Sequence, residues 1–151
     1  MFNTVRLFIK TGIGFLELGL VLGGFLLVRR ELFGFWPDPY LVSAHVHLVG
    51  VGFVLFMILG VALWLFPRSP KDDARYRPGR ITASYWILAA ATMARFLAEA
   101  ARAWSREGWL AWVVVLSGLG QILGLGLYFQ TMWPRIRSVG SHLREKAGER
   151  F

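Results

Sequence analysis

Apolar residues gather into four stretches, near Phe8–Val28, Leu41–Phe66, Ile81–Ala103 and Trp109–Trp133. Each has the roughly 17–25 residues that a helix needs to cross a bilayer. The second and fourth contain no Asp, Glu, Lys or Arg; the first holds Glu17, with Lys10 near its start, and the third holds Arg95 and Glu99, with Arg102 at its end. Polar, turn-rich connectors separate them: Arg29-Arg30-Glu31 to Pro37-Asp38-Pro39, then Pro67-Arg68-Ser69-Pro70 to Pro78-Gly79-Arg80, then Ser105-Arg106-Glu107-Gly108. Pro134 closes the last stretch, and a charged tail follows from Arg135 to Phe151. The pattern predicts an all-α membrane protein: residues 1–151 as one domain of four transmembrane helices, spanning about 8–28, 41–66, 81–103 and 109–133, with a charged tail over 135–151. The first stretch is too long for a signal-peptide core, carries a glutamate and lacks a small-residue cleavage site before Arg29, so it reads as a retained helix.

Composition agrees with this pattern. Of 151 residues, 56% are hydrophobic and only 17% are charged, against about 25% charge in an ordinary soluble domain. Cysteine is absent, which excludes disulfides, thiolate metal sites and iron–sulfur clusters. The net charge of +8 would fit a nucleic-acid binder, but its distribution points elsewhere. Twelve Lys and Arg fall on one side of the spans: Arg6, Lys10, Arg68, Lys71, Arg75, Arg77, Arg80, Arg135, Arg137, Arg144, Lys146 and Arg150. Only Arg29, Arg30, Arg102 and Arg106 fall on the other. The positive-inside rule then expects both termini in the cytoplasm of a multi-pass protein of the cytoplasmic (inner) membrane. The surplus is a topology signal, and nucleic acid is not an expected partner.

Trp36, Trp64, Trp104, Trp109 and Trp133 lie near the span ends, where an aromatic belt meets the lipid headgroups. Gly12, Gly14, Gly19, Gly23 and Gly24 recur in the first span, and Gly118, Gly120, Gly124 and Gly126 in the last. Small residues at this density let helix backbones approach closely. Four short helices enclose little interior of their own, which points toward an oligomer.

The ionisable groups well inside the spans are few: His45, His47, Glu17, Arg95 and Glu99, with neutral Gln121 and Ser117 beside them. A charge at the bilayer centre costs at least about 2.5 kcal/mol on insertion scales. At about 1.5 Å of rise per residue, His45, His47, Arg95 and Glu99 share one layer in the outer half, and Glu17 lies near the midplane. His45 and His47 point about 200° apart on a helix, so they cannot ligate one metal together; each serves a different flank. A hydrogen bond to a neighbouring helix is the plain alternative for each histidine. Arg95 and Glu99, spaced i and i+4, suit an internal ion pair. Glu17 reads either as a protonated group bonded to a neighbouring helix or as a proton-handling group.

The run Ala44-His45-Val46-His47, with Gly52, Gly60, Trp64 and Pro67 following, resembles the tenth helix of subunit I in the heme–copper oxidase and nitric oxide reductase superfamily, and its small four-helix relatives. The similarity covers about 24 residues, residues 44–67, with the glycines offset by one position. The resemblance implies that the first histidine of the pair binds one heme and the second another, on opposite sides of one helix. It also implies a threefold architecture. Subunit I is built as three pseudo-symmetric arcs of four helices, so a homotrimer of this chain would resemble one whole subunit.

On that resemblance, His45 of one protomer and His47 of the next would hold a non-covalent b heme at a protomer interface, in a membrane lipid environment. Arg29, Arg30, Arg95 and Arg102 would be candidates to pair with its propionates, since bidentate arginine suits a carboxylate. The sequence departs from the oxidases in lacking the copper-site histidines: the third and last histidine, His142, lies in the tail. A complete oxygen reductase is therefore not expected, and the chain reads as an electron carrier or redox component whose redox partner or quinone is unspecified. Two other readings stand beside it: a gas-binding heme sensor or handler for NO, O2 or CO, with one histidine on the iron, and a non-heme structural or channel-like membrane protein.

Overall fold

The computed structural model describes residues 2–66, 78–136 and Gly148. Pro67, the basic residues Arg68 to Arg77, and His142 with the tail's Arg137, Arg144, Lys146 and Arg150 lie outside the described residues. Four long helices run in sequence: α1 (Phe2–Phe33), α2 (Pro39–Leu65), α3 (Pro78–Arg102) and α4 (Gly108–Met132). A single 3-10 turn, Trp133–Arg135, follows α4. All four helices are long and apolar enough to cross a membrane. The bundle has a turn end, formed by the α1–α2 and α3–α4 connections, and a terminal end.

The helices outrun their apolar stretches. The first covers 32 residues because hydropathy marks only the part that lies in hydrocarbon, while main-chain hydrogen bonds continue through Arg6 and Lys10 at one end and Arg29 to Glu31 at the other. Gly34, with φ of +68°, stops α1: its N–H donates to the Arg30 carbonyl and that of Phe35 to the Arg29 carbonyl. A left-handed residue at this place is normally glycine. Asp38 then caps α2, its carboxylate accepting from the Tyr40 N–H at 2.8 Å, and Pro39 fits the first helical position, where no N–H is needed.

The middle of α2 is not α-helical. His47–Leu55 form wide π-helical turns between α-helical segments Pro39–Val46 and Phe56–Leu65. Such turns are rare and recur at functional sites. Nothing in the hydrophobic pattern announced this one, because apolar spacing hardly separates wide turns from ordinary ones in a helix apolar on all sides.

Packing is built on close backbone approach. An added Cβ on Gly52 would meet the Phe15 side chain at 2.7 Å, which seats α1 on the π segment, and one on Gly124 would meet Leu88 at 2.7 Å, which seats α4 on α3. Ser84 of α3 donates to the Gly124 carbonyl at 2.8 Å across the same contact. Toward the terminal end the core is aromatic. Phe8 stacks against Phe56, Tyr85 and Tyr128 with ring centroids 5.4, 5.2 and 5.9 Å away, so one ring from α1 ties together the other three helices. The phenols are satisfied: Tyr85 meets Thr11 at 2.7 Å and Tyr128 donates to the Leu59 carbonyl at 2.6 Å.

Arg135, one residue beyond Pro134, folds back and is buried. Its guanidinium donates to the carbonyls of Leu63 and Phe66 at 3.1 and 2.9 Å, at the end of α2. A cation there satisfies orphan carbonyls and complements the negative end of the helix dipole. Trp36, Trp64, Trp104, Trp109 and Trp133 are all exposed at the helix ends, as an interfacial belt requires.

Candidate functional site

The two histidines lie on opposite flanks of α2. His45 faces α1: its Nδ1 lies 2.9 Å from the Gly19 carbonyl oxygen, and its ring fills the notch left by Gly23, where an added Cβ would sit 2.8 Å from Cε1. His47 faces α3. Its Nδ1 lies 2.9 Å from the Ser43 carbonyl oxygen, with Ser43 Oγ at 3.4 Å and Glu99 Oε2 at 3.5 Å.

Both geometries fix a tautomer. A main-chain carbonyl only accepts, so Nδ1 of each ring must carry the proton. Each ring then presents Nε2, and neither Nε2 has a hydrogen-bond partner among the described residues. Both rings are half-buried. This is the arrangement found around metal-bound imidazoles, where the second nitrogen donates to a carbonyl or carboxylate and so orients the ring.

Around His47 a polar layer has formed. Glu99 is only 2% exposed. Its Oε1 accepts from the Ser43 hydroxyl at 2.9 Å and from Arg95 Nε at 3.0 Å. The i, i+4 ion pair expected between Arg95 and Glu99 is thus present, and His47 stands in the same layer. Ser43 was missed in the sequence, although its place four residues before His47 on one helix face was a usable signal. Among the described residues, two buried polar atoms here have no hydrogen-bond partner: Glu99 Oε2 and Arg102 Nε. They lie about one helical turn apart on α3.

The cationic residues gather at the turn end. Arg29 stacks over Phe25 and Phe35 at 5.6 and 5.3 Å, Arg30 over Trp36 at 5.2 Å, and Arg102 over Tyr40 at 4.7 Å. Arg30 also meets Glu31 at 3.2 Å on the surface. Deeper in α3, Arg95 is engaged with Glu99. Glu17 is exposed in the middle of α1 and, among the described residues, bonds to no neighbouring helix. Gln121 donates to Thr92 at 3.2 Å, joining α4 to α3, whereas Ser117 donates to the Val114 carbonyl of its own helix at 2.9 Å.

Among the described residues no group of three or more His, Cys, Asp or Glu side chains is placed to hold a metal ion. The donors on offer are two separate imidazoles, a set that suits a group bringing its own equatorial ligands. No protein-family model, curated protein or solved structure matches the chain.

Proposed function

We propose that this chain is a b-type heme protein of the cytoplasmic membrane, related to subunit I of the heme–copper oxidases and assembled as a homotrimer with both termini in the cytoplasm. One observation carries the reading. Both imidazoles of His45 and His47 rest their Nδ1 on main-chain carbonyls and turn a free Nε2 to opposite flanks of one helix. Neutral imidazole presented in this way is a common axial ligand for heme iron. Because each flank offers one imidazole among the described residues, two ligands for one iron would come from two copies, His45 of one and His47 of the next. A heme bound there would supply one-electron transfer.

The chain's own residues would position that group. Gly19 and Ser43 orient the rings, and Glu99 steadies His47 through the polar layer. Arg102, whose Nε is buried without a partner among the described residues, is the best-placed cation for a propionate, and Arg29 and Arg30 also lie at the turn end. Arg95 is held on Glu99. The donor set supports electron transfer over oxygen reduction.

The spectrum of the purified protein tests the reading. Sharp reduced bands that ignore CO are expected for two imidazoles on one iron. A large CO shift would replace this reading with the gas-binding one, and absence of a Soret band after expression with ample heme would replace both with a non-heme protein. His45→Ala and His47→Ala should each remove a ligand at every site, and mixing the two variants should restore some complete sites. Either substitution leaving heme content and spectrum untouched would sink the shared-site arrangement.

A further inference from the structure

Two charged side chains inside the spans lack a full set of partners among the described residues. Glu17 is exposed midway along α1 with no hydrogen bond or ion pair among the described residues. The same face carries Gly14 and Gly24, where an added Cβ would meet nothing within 4 Å, and Val21, which is 73% exposed. Arg95 lies in the groove between α3 and α4, its Nη1 packed against Gly118. Only Nε is bonded, to Glu99, and the side chain remains 23% exposed. Guanidinium has five N–H donors, so those on Nη1 and Nη2 have no acceptor among the described residues. Hydrocarbon satisfies neither group.

Their depths agree. Phe15 packs on Gly52, and Gly19 on Val49, so Glu17 stands level with the middle of the π segment. Glu99 meets Ser43 and His47, and Arg95 is one turn deeper. The two charges therefore differ in height by about 3 Å, well within the reach of an arginine side chain.

We infer that Glu17 of one copy pairs with Arg95 of a neighbouring copy, the Gly14–Gly24 face of α1 seating against the α3–α4 groove. The open glycines admit a second backbone, and the charges are complementary. The contact joins two different faces, so it is head-to-tail and propagates in one direction until it closes as a ring. This inference deepens the oligomer proposed above and takes only the number of copies from it; the heme is not needed for it.

Oligomeric state in detergent or nanodiscs, read by native mass spectrometry on the full chain, provides the test. Glu17→Leu removes no hydrogen bond or ion pair among the described residues, so helix content should stay while the dissociation constant of the oligomer rises by about tenfold or more. An unchanged oligomer would overturn the inference. A second measurement uses Arg95→Lys, which keeps the charge and supplies an amine. Carbodiimide coupling of mixed isotope-labelled and unlabelled copies should give an isopeptide between Glu17 of one chain and the introduced lysine of another. Finding that lysine coupled only to Glu99 of its own chain would also overturn it. The outcomes separate the two readings: assembly that depends on Glu17 in a protein without a Soret band keeps this contact and removes the heme. A heme protein that stays assembled as Glu17→Leu does the reverse.

Discussion

The two halves of the bundle are built on opposite principles. Toward the terminal end, Phe8, Phe56, Tyr85 and Tyr128 form an aromatic core in which each phenol oxygen has its partner. Toward the turn end, Ser43, His47, Arg95 and Glu99 form a polar layer, and among the described residues Nε2 of His45 and His47, Glu99 Oε2 and Arg102 Nε have no hydrogen-bond partner. The first half has its phenols accounted for and nothing to spare; the second holds capacity that one chain does not use. Stability should therefore reside in one half and binding in the other.

Three substitutions press on this division. Phe8→Ala should have the largest effect on folding, because one ring holds three helices. We expect a loss of about 3 kcal/mol, the low end for such a truncation, since lipid is itself apolar and only packing is lost. Thermal unfolding in detergent would measure it, while any heme spectrum of the folded fraction should keep its shape. Gly52→Ala comes next. Its Cβ would sit 2.7 Å from Phe15, and overpacking of this kind costs about 1–3 kcal/mol. This variant sharpens the contrast, since the clash falls at the boundary and should move both the melting temperature and the histidine layer. Tyr128→Phe should have the smallest effect, about 1 kcal/mol for one buried hydrogen bond to the Leu59 carbonyl, with no spectral change. A spectral change larger than that of Gly52→Ala would erase the division between halves.

Much of the fold was legible in the sequence because the bilayer imposes length and apolarity on every span. Four helices, their order and the shared layer of His47, Arg95 and Glu99 all follow from counting residues. The two flanks taken by His45 and His47 follow from helical periodicity. The rest depends on contacts between distant segments. Arg135 reads in the sequence as the first residue of a charged tail, yet it caps α2, a role set by the fold-back after Pro134. Glu17 gave no sign of whether it faced a neighbouring helix or the outside; only the path of α1 across Gly52 decides that it faces outward. The glycines divide in the same way: Gly23 and Gly124 serve contacts inside the chain, while Gly14 and Gly24 stand open, and spacing alone does not separate the two groups.

The π-helical stretch acts as a phase adjuster between these halves. Wide turns spend more residues per revolution than α-helical ones, so they rotate whatever lies above them relative to whatever lies below. Ser43 and His47 thereby meet α3 while Phe56, Leu59 and Leu63 stay aimed at the aromatic core. Shortening this stretch by one residue would turn the histidines by about 100° against the lower half without changing either imidazole. Where those rings aim is thus written partly in the winding of the backbone between them and the core.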